Sequence, residues 1–434
     1  MTNIMFWEKE IETASREQIK AIQLARLQET VTRLAAKSKF YQEKFKALGV
    51  GPESIRTLDD VRRLPFTTSA DLRSQYPDGF NIVGRDEIVR LHTSSGTTGK
   101  PKALFFTKKD LDVLSNNFAR CLTMVGCTKN DVLQNMMTYG LFTGAFMSHY
   151  GAEKVGMLAI PAGPGNSERQ LMLMQDFGTT VAHMTPSYAL YFANFVEKKG
   201  LNPAKDINLR IVLVGAEAYT EETRARIESA YGADVFNCYG LSEMGGPGVG
   251  FECPAKNGVH LWEDTYLIEI IDRDTLEPVK PGETGELVIT SINRDAMPIL
   301  RYRTGDLTNI IPEPCPCGRT HVRVARFKGR VDDMIVVKGA NVYPQQIERV
   351  LMATKGVGRN YLIILQGLDE MLIQVELDPE AFDGQMKGLE QIQAKVVNGV
   401  RDAVQVKPVV ELLAPGTLPV SEGKTKRVLD KRSL

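Results

Sequence analysis

The feature that most narrows the fold is an alternation of short apolar runs with helix-patterned segments between residues 155 and 240. Residues 155–160 are apolar and stop at Pro161, 168–177 have helical spacing, 180–184 are apolar, and 188–199 read as a second helix. The apolar run 211–214 then ends at Gly215, 221–231 is helical, and 234–238 ends at Tyr239-Gly240. A parallel neighbour in a sheet is reached only through a crossover, so this alternation predicts parallel strands joined by helices. Ligands of such sheets sit beyond the carboxyl ends of the strands. The loops Gly215-Ala216-Glu217 and Tyr239-Gly240-Leu241-Ser242-Glu243, each following a predicted strand, are therefore candidate binding loops.

The flanking texture differs. Ser15 followed by Gln18 is a capping-box pattern, and Leu24, Leu27, Val31 and Leu34 recur at helical spacing behind it. After about residue 258, stretches 267–271 and 286–290 read as strands, separated by the turn residues Lys280-Pro281-Gly282-Glu283, and no long helix fits. Near Gly329 a third pattern begins, with strands at 334–337, 361–365 and 371–377 and helices at 344–353 and 389–403. A chain of 434 residues also exceeds what one core accommodates. The expected fold class is α/β. A large domain, 1–330, carries mostly parallel sheets flanked by helices and a β-rich part at about 258–328, and a small α+β domain spans 331–434.

Lysine plus arginine equals aspartate plus glutamate, at 53 each, so no overall field draws the chain to nucleic acid or an anionic membrane. No apolar run approaches the roughly 18 residues of a membrane span. Residues 1–10 lack the basic and apolar regions of a signal peptide, and the six cysteines are scattered, so a cytoplasmic protein with free thiols or metal ligands is expected. Any anionic ligand must be met by a local site.

Thr93-Ser94-Ser95-Gly96-Thr97-Thr98-Gly99-Lys100-Pro101-Lys102 supplies such a site. Two glycines let backbone N–H groups converge, and hydroxyls and lysines add donors, which suits a polyphosphate. Only two residues separate Gly96 from Gly99 and Pro101 follows the lysine, so this is not the loop of P-loop nucleotidases. The apolar stretches 88–91 and 103–106 make it a strand–loop–strand grip. Farther on, Cys253, His260, Cys315 and Cys317 offer a tetrahedral zinc donor set, with His321 a rival fourth ligand. The one-residue gap between Cys315 and Cys317 is tighter than the usual spacing, and reduced, unligated cysteines are the alternative.

The glycine-rich loop resembles the phosphate-binding signature of the adenylate-forming superfamily of acyl- and aryl-CoA ligases, luciferases and adenylation domains. The resemblance extends to Tyr239–Glu243, to Arg301-Tyr302-Arg303-Thr304-Gly305-Asp306, to Gly329-Arg330-Val331-Asp332-Asp333 and to Gly423-Lys424-Thr425-Lys426-Arg427. It implies that Ser94, Ser95, Gly96, Thr97, Thr98, Gly99 and Lys100 grip ATP phosphates, with Gly215, Ala216, Glu217, Tyr239, Gly240 and Ser242 also at the nucleotide. Glu243 would bind Mg²⁺, Asp306 and Arg330 the ribose, and Lys424 would be the adenylation lysine. The small domain would be mobile about Asp332, and Lys338, Gly339 and Tyr343 would form a thiol channel. The segments 64–68, 139–153, 239–248 and 262–306, with the short total length, resemble phenylacetate–CoA ligases over about residues 6–430. This implies a small aromatic carboxylic acid, ATP and coenzyme A as substrates, Tyr139 and Phe142 in the aryl pocket, and a homodimer as one expectation. Two rivals stay open: adenylation for an acceptor other than coenzyme A, such as a deazaflavin cofactor, and a regulator that holds ATP without turnover.

Overall fold

The computed structural model describes residues 4–94, 101–338, 340–367, 370–379, 386–419 and 427–432. Two units organise the chain: Met1–Gly163 with Phe236–Arg326, and Pro164–Val235 with Phe327–Leu434.

In the first unit, Ser15 caps the helix Arg16–Lys37 reciprocally. The Ser15 hydroxyl accepts from the Gln18 N–H, and the Gln18 side chain accepts from the Ser15 N–H at 2.8 Å. The helix buries Ile19, Leu27, Val31 and Leu34. Helices Lys108–Met124 and Thr143–Val155 approach so closely that a Cβ on Gly151 would lie 2.7 Å from the Phe118 side chain. Val132–Asn135 and Leu158–Ile160 pair in parallel. Strands Tyr266–Ile271, Gly285–Ser291 and Tyr302–Thr308 form a three-stranded antiparallel sheet. That sheet is the β-rich texture expected after residue 258.

The second unit contains the middle of the strand–helix alternation, residues 164–235. Helices Ser167–Asp176, Pro186–Lys198 and Glu221–Tyr231 accompany the parallel pair Val181–Met184 and Ile211–Gly215. Every residue of that strand pair is buried, including His183 in the otherwise apolar Val181–Met184, as strands covered on both faces require. Its later part is α+β. Val357–Gln366 and Glu370–Leu377 pair antiparallel, and Val409–Leu413 and Val428–Asp430 add in parallel at the two edges. Helices Pro344–Ala353 and Met386–Val404 complete it, and Ile347, Leu351, Val396, Val400, Ile363 and Ile373 share its core.

Candidate active site

The strand–loop–strand grip is an antiparallel hairpin. Ile88–Thr93 pairs with Ala103–Thr107, placing Thr93 opposite Ala103. Just beyond that pair the Ser94 N–H donates to the Lys102 carbonyl at 3.2 Å, and the Lys102 N–H donates to Ser94 Oγ at 3.1 Å, closing the root of the loop. Ser95, Gly96, Thr97, Thr98, Gly99 and Lys100 lie outside the described residues. Lys102 Nζ makes an ion pair with the Glu243 carboxylate and donates to Ser69 Oγ at 3.2 Å. The two side chains of the pair are 12% and 7% exposed, so the contact is shielded from water.

Glu243 sits in the turn Ser242–Met244, which directly follows strand Asp234–Leu241. Arg294 fixes the turn by donating to the Glu243 carbonyl at 2.5 Å, and the Tyr302 hydroxyl donates to Glu243 Oε1 at 2.9 Å. Burial opposes ionisation of Glu243, yet the Lys102 charge and hydrogen bond outweigh it and hold the carboxyl below its ordinary range. Tyr302 and Asp306 share strand Tyr302–Thr308, and the Tyr239 hydroxyl donates to Asp306 Oδ2 at 2.6 Å. A continuous set of contacts thus joins Ser94, Lys102, Glu243 and Tyr302, and the same strand carries Asp306 to Tyr239.

The strand before this turn is longer than the sequence reading had it. It runs through Leu241 rather than stopping at residue 238, because Gly246–Glu252 pairs against it, with Tyr239 opposite Gly250 and Leu241 opposite Gly246. Gly240 is obligatory there, since a Cβ would lie 2.0 Å from the Gly246 carbonyl oxygen.

Tyr139 is half-buried. Its ring meets Phe146 edge-on at 5.2 Å, and its hydroxyl accepts from Asn135 Nδ2 at 3.0 Å and lies 3.3 Å from His149 Nδ1. Burial raises its phenol to about 12. Phe142 precedes helix Thr143–Val155 and is 38% exposed. The loop is tied to the hairpin through Leu141, whose carbonyl accepts from the Thr93 N–H at 2.8 Å and from His92 Nδ1 at 3.3 Å. His92 and Asn135 carry no mark in the sequence beyond proximity to the two motifs, and His149 is marked there only as part of the 139–153 resemblance, with no role assigned to it.

Cys253, His260, Cys315 and Cys317 converge, all buried, with their donor atoms within 4.8 Å of one another. Cys253 Sγ lies 3.5 Å from Cys315 Sγ, and Cys317 Sγ lies 3.4 Å from His260 Nε2. The Gly318 N–H donates to the Cys315 carbonyl at 3.0 Å, and Gly318 takes a φ of 75°, which closes the tight turn that carries both cysteines. His260 Nδ1 faces the His321 carbonyl at 3.3 Å, so its proton belongs there and Nε2 turns a lone pair to the thiols. The Cys253 thiol, and behind it His260, pull Cys317 well below the ordinary thiol range, while the same contact raises Cys253. His321 is not the fourth donor. Its Nδ1 accepts from the Glu263 N–H at 2.9 Å and its Nε2 donates to the Ile11 carbonyl at 3.0 Å, so backbone groups engage both nitrogens.

In the second unit, Gly215 ends strand Ile211–Gly215 and Ala216 takes a φ of 66°, a conformation costly for a residue with a Cβ. Glu217 accepts from the Ser187 N–H at 3.2 Å and the Ser187 hydroxyl at 3.0 Å, at the start of helix Pro186–Lys198. Arg330 is half-buried and precedes the turn Val331–Asp333, which holds the backbone of Asp332. Lys338 is exposed with a φ of 51°. Tyr343 is half-buried at the start of helix Pro344–Ala353, where its N–H donates to Gln346 Oε1 at 3.0 Å. Gly339 and Lys424 lie outside the described residues.

A loop root tied through Lys102 to a buried carboxylate, with a second carboxylate held by a tyrosine, is an arrangement that suits an anionic ligand together with a cation. The AMP-binding enzyme family matches residues 11–293, and the AMP-binding enzyme C-terminal domain matches residues 339–432. The chain is 42% identical to the phenylacetate-coenzyme A ligase of Thermus thermophilus, over 99% of this chain and 100% of that one. It is 36% identical to the phenylacetate-coenzyme A ligase of Escherichia coli, over 98% and 97% of the two. The chain therefore belongs to the phenylacetate-coenzyme A ligase family of AMP-binding enzymes. Its fold superposes on a crystal structure of 2-hydroxyisobutyryl-CoA ligase in the postadenylation state in complex with R3-HIB-AMP. That match has a TM-score of 0.93 and 27% identity, over 98% of this chain and 92% of the other. Among the described residues no helix is long and apolar enough to cross a membrane.

Proposed function

We propose that the chain joins a small aromatic carboxylic acid of the phenylacetate class to coenzyme A through an acyl-adenylate. The observation that carries the reading is the 42% identity to a phenylacetate-coenzyme A ligase over the whole of both chains, within 1%. The contacts joining Ser94, Lys102, Glu243 and Tyr302 support it, as does the Tyr239–Asp306 pair.

A carboxylate is a poor acyl donor, so the acid is first activated. Its oxygen attacks the α-phosphorus of ATP, the bond to the outer two phosphates breaks, and pyrophosphate leaves. Lys424 bridges the attacking carboxylate and the α-phosphate and offsets the charge that builds there, while residues 94–100 hold the outer phosphates. Asp306, aimed by Tyr239, accepts from the ribose hydroxyls, and Arg330 supports them. Gly215, Ala216, Glu217, Gly240 and Ser242 line the nucleotide. Tyr139 and Phe142 flank the aromatic ring. In the second half the sulfur of coenzyme A attacks the acyl carbon, the thiol proton is lost, and AMP departs. Residues 331–434 turn about Asp332 between the two halves, with Lys338, Gly339 and Tyr343 guiding the thiol.

Glu243 fits a magnesium ion, because its buried carboxylate already sits against a positive charge. When bound, Mg²⁺ neutralises phosphate charge. The thiol–imidazole cluster fits zinc, as its donors are buried and converging and His260 is oriented by the His321 carbonyl. Neither half-reaction needs that ion, so its role is structural, pinning the turn at Cys315–Gly318.

The test is release of pyrophosphate and of AMP over a panel of phenylacetate, hydroxyphenylacetate, indoleacetate and benzoate, with and without coenzyme A. Pyrophosphate release with an aryl acid and coenzyme A-dependent AMP release are expected. Turnover indifferent to coenzyme A would overturn the acceptor, and no turnover with any acid would overturn the reading.

A further inference from the structure

The ion pair between Lys102 and Glu243 has a consequence for how a cation enters the site. Glu243 is placed by contacts that do not involve the lysine: Arg294 holds its carbonyl at 2.5 Å and the Tyr302 hydroxyl holds Oε1 at 2.9 Å. The carboxylate is therefore already fixed where a divalent ion would find it. Its partner is tethered differently. The Lys102 backbone is bound at the loop root to Ser94, and among the described residues Ser69 Oγ, at 3.2 Å, joins Glu243 in holding the ammonium. Lysine is a compact charge on a flexible stem, free to trade one anion for another without moving its backbone. The same root carries the loop assigned to the ATP phosphates.

We propose that Lys102 is a place-holding cation. In the nucleotide-free enzyme its ammonium occupies the position of the divalent ion on Glu243. When the metal arrives with ATP, the ammonium leaves the carboxylate for the phosphate oxygens. A shielded carboxylate with no cation would carry a heavy desolvation cost, which the lysine removes. The lysine also keeps a free metal from occupying the site ahead of the nucleotide. A divalent ion alone must displace the ammonium without bringing it a new anion, whereas metal–ATP supplies one. This makes Lys102 a positioning residue for Glu243 and orders the entry of metal and nucleotide.

The inference rests on Glu243 as the magnesium carboxylate, and the experiment separates the two claims. Mn²⁺ alone is titrated into the nucleotide-free full-length protein and followed by the loss of its free electron paramagnetic resonance signal. The wild type should bind weakly. Lys102→Met should bind about tenfold more tightly or better, since displacement of the ammonium no longer reduces the apparent affinity. Adding Glu243→Gln to that variant should abolish the gain. Lys102→Gln, which removes the charge but keeps a donor for Ser69 Oγ, should show the same gain if the methionine variant folds poorly. Lys102→Arg should stay as weak as the wild type. Unchanged Mn²⁺ affinity in the neutral variants, or a gain that survives Glu243→Gln, would overturn the proposal while leaving acid-dependent pyrophosphate release by the wild type intact. Absence of that release would instead overturn the ligase reading.

Discussion

The Tyr239 hydroxyl donates to Asp306 Oδ2 at 2.6 Å, joining two motifs that lie 67 residues apart in the chain. If Asp306 is to accept from the two ribose hydroxyls it must be held still, and it is fixed by this bond and by its own N–H on Thr304 Oγ1 at 3.0 Å. Tyr239→Phe removes the bond but leaves the ring. A hydrogen bond to a charged group contributes about 1.5–3 kcal/mol, so kcat/KM for ATP should fall by about tenfold or more. The loss should appear chiefly in KM for ATP and little in KM for the acid, measured by acid-dependent pyrophosphate release. Equal changes in the two KM values would show that the bond serves general stability.

The cysteine cluster predicts a metal-dependent stability. Purified protein should contain about one equivalent of zinc, by the four-ligand rule for structural sites. Cys317→Ser should remove it and lower Tm by about 5 °C or more, since a ligand that binds only the folded state stabilises it. Thr320 and His321, just past the cluster, bond to the backbone at Glu12, Ala14 and Ile11. Limited proteolysis should therefore cut near residues 5–16 faster in the variant. Less than about half an equivalent of zinc, or a Tm unmoved by the substitution, would leave the cysteines as ordinary buried thiols.

The parallel strands were legible because burial on both faces demands unbroken apolar runs, and Ile211–Gly215 is such a run. Helix Lys108–Met124 was not, because Asp110, Asn117 and Arg120 are buried on it and interrupt the apolar stripe. Each is matched by a distant partner, as Arg120 is by Asp264 at 2.8 Å, and such pairing leaves no trace in local sequence. Strand Gly246–Glu252 was hidden for a different reason. Closely spaced glycines and a proline carry no strand pattern, yet Gly248 is there because a Cβ would press to 3.1 Å from Phe118. In the site, Glu243 and Asp306 stood out through the resemblance of their motifs to those of the adenylate-forming superfamily, and the metal donors through their residue types, despite an unusually tight Cys315–Cys317 gap. Lys102 reads from the sequence as a donor of the loop, but its pairing with Glu243 leaves no local trace, because 141 residues separate them.

Glu348 gives a prediction for pH. It is buried in the second unit, where the Thr223 and Tyr361 hydroxyls donate to it, the latter at 3.0 Å. Burial outweighs those bonds and holds its carboxyl above the ordinary value of 4.5. The folded state thus keeps this proton more readily than the unfolded chain. Its stabilising contribution is complete below the unfolded value and is lost as pH rises through the folded one. Glu348→Gln cannot ionise, so it should be more stable than the wild type at neutral pH. The difference should shrink towards zero in acid, as followed by urea denaturation across the pH range. A gap that does not change with pH would mean that Glu348 is not held protonated by the fold.

The last prediction concerns the lysine near the end of the chain. If Lys424 offsets charge at the α-phosphate, it matters while pyrophosphate leaves and has no part in attack by sulfur on the finished acyl-adenylate. Lys424→Ala should therefore slow adenylate formation by about 10²-fold or more, the scale of losing one charge-stabilising group. Thioester formation from supplied acyl-adenylate and coenzyme A should stay within about twofold of the wild type, because none of the interactions that favour that transition state has been removed. Single-turnover measurements of the two halves, each started from its own substrate, separate them. Equal loss in both would place Lys424 in the frame of the site and remove it from the chemistry of activation.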